Sequence, residues 1–196
     1  MIKITFMGAG STVFLRNVLG DCIYTDALKG MEIALYDIDG QRLEQSAAIL
    51  EAINKGNGCP ASIRSYLGAE NRRKALSGAD FVITQLFFDV REYESLVSSL
   101  RAAGLETPVI PGILPIQSFD SLRRVLSLCG ANIPGKLYLE LEAAHNEGGV
   151  EAVREAGLRF AARQIRQLLD CGAPGIHLYS LNKSEMCLRL VEEAGL

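Results

Sequence analysis

The chain has 196 residues and a net charge of −3 at pH 7, with acidic and basic residues interleaved along its length. This length can bury a core without disulfides, so we expect residues 1–196 to form a single α/β domain. The sequence shows no basic stripe, no apolar run long enough to span a bilayer and no cationic leader. We therefore expect no nucleic-acid partner, no membrane partner and a cytoplasmic location.

Residues 1–39 follow the order strand, glycine-rich turn, helix and second strand. The turn Gly8-Ala9-Gly10-Ser11-Thr12-Val13 comes directly after an apolar run, and a helical pattern covers Thr12–Tyr24. A second apolar run ends in Asp37. This order is typical of a dinucleotide-binding βαβ unit, in which backbone N–H groups meet a pyrophosphate and the carboxylate accepts ribose hydroxyls.

The remaining patterns alternate between strands and helices. They predict strands over 62–67, 81–88, 109–114 and 175–180, and helices over 41–55, 71–77, 92–103, 118–128, 147–171 and 183–193. Residues 133–144 are ambiguous, because 136–141 fits either a strand or a helical turn. Six alternating strands predict a Rossmann-like, doubly wound α/β fold with a parallel sheet in the order 3-2-1-4-5-6.

Five cysteines show no C-x-x-C pair, namely Cys22, Cys59, Cys129, Cys171 and Cys187. An odd, unspaced set is typical of reduced thiols rather than of disulfides or a zinc site. His145 and His177 also lack ligand spacing, so we expect no metal site. We interpret His177, inside the sixth strand, as a buried and hydrogen-bonded histidine.

The first part of the chain resembles the NAD-dependent glycoside hydrolases of family four. The resemblance is carried by KITFMGAGSTVF at 3–14, LGD at 19–21, IALYDID at 33–39 with RL at 42–43, and RKALSGAD at 73–80. It implies an NAD site at Gly8, Gly10, Ser11 and Thr12, with Asp37 on the adenosine ribose. An acidic residue there favours NAD over its 2′-phosphorylated form.

The second part resembles the last three strands of the methylenetetrahydrofolate reductase barrel. The motifs are GADFVITQLFFD at 78–89, VIPGILPI at 109–116 and PGIHLYSLN at 174–182. In that family the residue matching Gln85 faces the folate or flavin at the barrel mouth. Here the carboxyl ends of the strands face the ligand crevice, so we hypothesise that Gln85 contacts a bound nicotinamide. The seam between the two resemblances falls at 78–84.

Both resemblances imply incomplete chemistry. The Cys and His metal ligands of the hydrolase family lie beyond the seam, and the reductase's catalytic carboxylates and most flavin contacts lie on strands that precede this fragment. We therefore expect an engineered chimera of 1–79 and 80–196 that is not an enzyme. We expect it to retain weak NAD binding and to bind neither a metal nor FAD. The cofactor-binding residues would be Gly8, Ala9, Gly10, Ser11, Thr12, Val13, Asp37 and Gln85.

Three alternatives stay open. The chain could be an NAD(P)-dependent oxidoreductase or a glycosidase-like enzyme, or a truncated flavin- or folate-binding reductase. The fragment after the seam could also keep barrel curvature and self-associate through open sheet edges.

Overall fold

A computed structural model describes residues 2–129 and 131–196 of the chain. Its strands are β1 Lys3–Met7, β2 Glu32–Asp37, β3 Ser62–Leu67, β4 Phe81–Leu86, β5 Val109–Ile113 and β6 His177–Leu178. They form one sheet in the order β3-β2-β1-β4-β5-β6, and the registers of β1 with β2, β1 with β4, β2 with β3, and β5 with β6 are parallel. The predicted α/β, Rossmann-like strand order is confirmed.

Seven helices are described between and after the strands. They are α1 Thr12–Tyr24, α2 Gly40–Gly56, α3 Arg72–Leu76, α4 Val90–Ala102, α5 Phe119–Cys129, α6 Gly135–Asp170 and α7 Ser184–Ala194. Short 3-10 turns lie at Asp26–Leu28 and Ala69–Asn71. Each predicted helix is found to within two residues at either end, apart from the start of α6.

The described residues divide into two compact units. The first consists of the residues up to Gln85 together with Leu100–Ile110, and the second of Leu86–Ser99 and Pro111–Leu196. The predicted halves 1–79 and 80–196, and the prediction that they form one domain, stay predictions.

The core of the first unit is built from β1, β2 and the inner faces of α1 and α2. Ile4 and Phe6 of β1, Ile33 of β2, and Leu15 and Leu19 of α1 are fully buried. Thr5, which lies between Ile4 and Phe6 in β1, is also fully buried, because helices cover both faces of a doubly wound sheet. This packing fixes where β1 and β2 end, and therefore where the turn after β1 lies.

The core of the second unit surrounds α6. Val153, Ala161, Ile165 and Leu168 of α6 and Leu190 of α7 are buried, each with at most 1% of its surface exposed. Gly157 lets α6 approach the chain after β5 closely, since a Cβ on it would overlap the Ile116 carbonyl oxygen.

The structure resolves one ambiguous segment and corrects one predicted strand. Residues 133–144 are helical from Gly135 onward, and α6 continues through a kink where Gly149 has a φ of 63°. The predicted strand over 175–180 is only two residues long, because β6 pairs with β5 at Gly112 and Ile113 alone. No described helix combines the length and apolar character needed to cross a membrane. Self-association through the edges at β3 and β6 stays a prediction.

Candidate dinucleotide-binding site

The turn after β1 is held against the end of β2. Met7 pairs with Tyr36 in the sheet register, and the next two N–H groups, of Gly8 and Ala9, both donate to the Tyr36 carbonyl at 3.0 and 2.9 Å. Gly8 has a φ of +81°, a left-handed conformation that residues with a Cβ rarely adopt. The tight turn therefore depends on glycine at this position.

Asp37 organises the polar side of the turn. Its Oδ2 accepts a hydrogen bond from the Gly10 N–H at 2.6 Å, and its Oδ1 accepts one from the Asp39 N–H at 2.9 Å. A carboxylate offers about four acceptor positions, and these bonds use two of them. The backbone therefore orients the Asp37 carboxylate and leaves acceptor positions that hydroxyl groups could use.

Gly10 lets α2 approach the turn. A Cβ built on Gly10 would lie 2.9 Å from the Cβ of Arg42 and 2.9 Å from Oδ2 of Asp37. Arg42 lies next to Gly10 because Asp39 caps α2. The Asp39 carboxylate accepts a hydrogen bond from the Arg42 N–H at 3.1 Å. The second glycine of the turn is therefore required by contacts within the protein itself.

The amino-terminal end of α1 lies beside this turn. Ser11 is the N-cap residue, and its side chain makes no capping hydrogen bond. The Ser11 N–H donates to the Gly8 carbonyl at 3.2 Å, and the Thr12 N–H donates to the Gly10 carbonyl at 3.1 Å. The first N–H groups of a helix lack intrahelical partners and carry the positive end of its dipole, which suits an anionic group.

Gln85 lies next to the first glycine. Phe6 of β1 pairs with Ile83 of β4, so Gln85 lies two residues further along its strand, level with Gly8. A Cβ built on Gly8 would be 3.4 Å from the Gln85 Cβ and 3.9 Å from its Nε2. The strand order reverses between β1 and β4, which is where doubly wound sheets open their ligand crevice.

The structure thus brings together every residue that the sequence assigned to cofactor binding. Ala9 is fully buried, so only its backbone can face a ligand, whereas the Val13 side chain is 46% exposed. Sequence reasoning included Arg42 in the hydrolase resemblance but gave neither Arg42 nor the Tyr36 carbonyl a role at the site. The capping Asp39 at the start of α2 was a signal for Arg42. That these residues bind a cofactor stays a prediction.

The thiols and histidines form no second centre among the described residues. Cys22, Cys59, Cys171 and Cys187 are free, and the side chain of Cys129 lies outside the described part. Burial raises the pKa of Cys22, which disfavours its thiolate. No group of three or more His, Cys, Asp or Glu residues within the described ranges could hold a metal ion, and the prediction of no metal stays a prediction.

The interpretation of His177 as a hydrogen-bonded histidine is wrong. Its Nε2 is buried and has no hydrogen-bond partner among the described residues, while its ring packs edge-on against Tyr179 with centroids 4.8 Å apart. Burial lowers the pKa of His177, because the charged imidazolium would lose its hydration there.

Two family models match the chain. The family 4 glycosyl hydrolase model matches residues 3–113, and the methylenetetrahydrofolate reductase model matches residues 66–195. The two matches share residues 66–113, which include the predicted seam. The predicted resemblance to both families is confirmed, and the findings are consistent with a fusion of the two.

Individual proteins show the same division. A probable methylenetetrahydrofolate reductase (NADPH) from Caenorhabditis elegans is 36% identical over 126 residues, or 64% of this chain and 19% of the relative. The alpha-galactosidase of Bacillus subtilis (strain 168) is 49% identical over 86 residues, or 44% of this chain and 19% of the relative. A solved 6-phospho-alpha-glucosidase from gut microorganisms, in complex with NAD and glucose-6-phosphate, is 16% identical with a TM-score of 0.46, over 74% of this chain and 42% of that one.

These matches overturn the expectation that the chain is not an enzyme. The named relatives over both parts of the chain are enzymes, a reductase and a glycosidase. That expectation rested on the absence of a complete set of catalytic residues from either family. The chain spans about a fifth of the length of the curated relatives it matches.

Proposed function

Because the chain belongs to the family 4 glycosyl hydrolases over residues 3–113 and to the methylenetetrahydrofolate reductases over residues 66–195, we propose that it is an NAD(P)-dependent oxidoreductase. The dinucleotide would bind at the turn Gly8–Val13, with NAD preferred over its 2′-phosphorylated form. Several reductase relatives carry NADH or NADPH in their names, which supports a nicotinamide cofactor for this chain.

One observation carries the proposal: the carboxylate of Asp37 is held at the glycine turn by the Gly10 N–H. Its two backbone hydrogen bonds fix the carboxylate at the carboxyl end of β2 and leave acceptor positions for a ribose diol. A 2′-phosphate would instead meet this negative charge. The arrangement therefore supports adenosine recognition and the preference for NAD.

The rest of the turn fits the other end of such a cofactor. The start of α1, after an N-cap side chain that makes no capping bond, offers N–H groups to a pyrophosphate. Gln85 lies beside Gly8, where its amide would donate a hydrogen bond to a carboxamide or hold the orientation of a ring. A bound nicotinamide dinucleotide supplies a hydride donor or acceptor. The residues of this site bind and orient it.

Calorimetric titration of the full chain with NAD tests the binding step. We expect weak binding, with a dissociation constant in the micromolar to millimolar range, that weakens by about tenfold or more in Asp37→Asn, since a charged acceptor is lost. Glu51→Gln is the matched control, an exposed carboxylate on α2 outside the site. Absence of saturable heat with millimolar NAD would contradict the proposal, as would equal affinities for Asp37→Asn and the wild-type chain.

The reaction is tested separately by following the absorbance of NADH. Methylenetetrahydrofolate is the first acceptor to try, because it is the substrate in the name of the relatives matched over 66–195. An α-galactoside with NAD is the second, after the alpha-galactosidase matched over the first part, and it is followed by the release of galactose because hydrolysis produces no net NADH. Binding of NAD without turnover of either substrate would overturn the enzymatic half of the proposal and leave the binding half intact.

The engineered origin of the junction remains part of this proposal. It is supported by the match of two different families within one sheet, the hydrolase over residues 3–113 and the reductase over residues 66–195. Amplification of the whole coding sequence from unmanipulated genomic DNA would contradict it.

A further inference from the structure

The second unit contains a cavity that the proposed function does not use. Its volume is about 590 Å³, within the range of small-molecule sites, and it lies between the start of α4, the first turns of α6 and the later turns of the same helix. Phe88, Leu137 and Phe160 form its apolar lining. The Phe88 and Phe160 rings are tilted against each other with centroids 6.4 Å apart, so the lining includes an aromatic wall.

A buried amide is part of this lining. Gln164 is only 3% exposed, and its Nε2 donates to the Phe87 carbonyl at 2.9 Å. Its Oε1 accepts no hydrogen bond within the described residues. Gln164 Oε1 is not among the buried side-chain atoms that lack a partner, so this oxygen keeps exposed surface, and Gln164 lines the cavity. The cavity is where a donor could reach it.

The charges at the cavity rim are mostly paired with one another. Arg91 binds Asp89, and Arg163 binds both carboxylate oxygens of Glu140 at 3.1 Å. Lys136 lines the cavity, is exposed, and forms no ion pair among the described residues. It is therefore the cation available to a ligand anion.

The Arg163 guanidinium also lies over the Phe160 ring, 5.9 Å from its centroid. Its ion pair with Glu140 and its stacking on Phe160 hold both side chains in place, since a planar guanidinium can satisfy both contacts at once. The aromatic wall is thus preorganised, which lowers the entropic cost of stacking a flat ligand against it.

From these contacts we propose that the cavity binds a planar aromatic ring that carries an N–H donor and an anionic substituent. The ring packs against Phe88 and Phe160, the ring N–H donates to Oε1 of Gln164, and the anion pairs with Lys136. This site involves neither the turn after β1 nor Asp37, so it stands independently of the proposed function.

Three indole probes test this recognition on the full chain. The chain contains no tryptophan, so a change in indole emission reports binding directly. We expect indole-3-acetate to bind saturably. We expect 1-methylindole-3-acetate, which lacks the N–H, and indole, which lacks the carboxylate, each to bind about five- to tenfold more weakly. The same affinity for all three probes, or no saturable change at millimolar probe, would overturn the proposal.

Variants assign the contacts. Lys136→Gln should weaken indole-3-acetate severalfold while leaving the affinity for indole unchanged, and Gln164→Leu should abolish the difference between indole-3-acetate and its N-methyl form. Arg159→Gln, an exposed change on α6 outside the cavity lining, is the matched control and should bind like the wild-type chain. An unchanged preference for the carboxylate in Lys136→Gln would overturn the assignment. The N-methyl comparison needs no variant, so it stays decisive if Gln164→Leu fails to fold.

Discussion

The Gly10 N–H and the Asp37 carboxylate form the central relationship of the first unit, joined by a hydrogen bond of 2.6 Å. The bond connects the turn after β1 to the end of β2, which neighbours it in the sheet. The same carboxylate oxygen would lie only 2.9 Å from a Cβ on residue 10. The stability of the turn, and under the proposed function the binding of a ribose, therefore depend on one contact.

Gly10→Ala should disrupt this contact. The new Cβ would lie 2.9 Å from both the Arg42 Cβ and Asp37 Oδ2, so the start of α2 or the carboxylate must shift. Overpacking of this kind costs about 1–3 kcal/mol. We expect the free energy of unfolding, measured in urea, to fall by that amount and NAD binding to weaken with it.

Gly56→Ala is the control for this substitution. Gly56 is the last residue of α2, and no atom lies within 4 Å of a Cβ built on it. Alanine is a better helix former than glycine, so we expect this variant to be stabilised by about 0.4–1 kcal/mol. A Gly10→Ala variant as stable as Gly56→Ala would show that the turn adapts and would remove the steric argument.

Local patterns were enough to predict most of the first unit. The helix over Thr12–Tyr24 and the strand order follow from apolar periodicity and from the alternation of strands with helices, which are properties of neighbouring residues. The position of Asp37 beside Gly10 followed from the βαβ arrangement. Arg42 could not be placed in this way, because its contact with Gly10 depends on how α2 packs after its cap.

The second unit was harder to predict because its elements depend on distant partners. The apolar pattern over 175–180 predicts a six-residue strand. In the structure β6 has two residues, because it pairs only with Gly112 and Ile113. The glycine pair inside α6 gave no clear signal, since it permits either a helix end or the observed kink. Gln164 lies on the buried face of α6 and lines the cavity, and no local pattern in the sequence predicts this position.

Gly157→Ala should destabilise the second unit. A Cβ on Gly157, within α6, would overlap the carbonyl oxygen of Ile116 and lie 2.9 Å from the Ile116 Cβ. Backbone cannot move aside as a flexible side chain can, so we expect a loss of about 1–3 kcal/mol or more in chemical unfolding. Gly135→Ala at the start of the same helix meets no atom within 4 Å and should be neutral or stabilising. Equal stability of the two variants would contradict this packing.

His177 should make the stability of the chain depend on pH below about 6.5, the ordinary pKa of histidine. Burial lowers the pKa of His177 in the folded state, so the unfolded chain takes up the proton first as the pH falls. The free energy of unfolding should therefore decrease from pH 6.5 downward until the folded-state pKa is reached. Urea unfolding at several pH values should show a smaller decrease in His177→Gln than in the wild-type chain.

His145→Gln is the control for this pH series. His145 is the second histidine of the chain and is exposed on α6, so the decrease assigned to His177 should survive its removal. If His145→Gln removed the decrease and His177→Gln kept it, the assignment to the buried imidazole would be wrong.

Ser46→Ala should stabilise the first unit. Ser46 lies on α2 with none of its surface exposed, and its Oγ has no hydrogen-bond partner among the described residues. A buried hydroxyl without a partner costs about 1–3 kcal/mol, and alanine removes that cost while favouring the helix. We expect the free energy of unfolding to rise by about 1 kcal/mol in urea. Gln45→Ala, exposed on the same turn, should change it by no more than about 0.5 kcal/mol. Destabilisation by Ser46→Ala would mean that the hydroxyl is satisfied in solution, for example by a buried water.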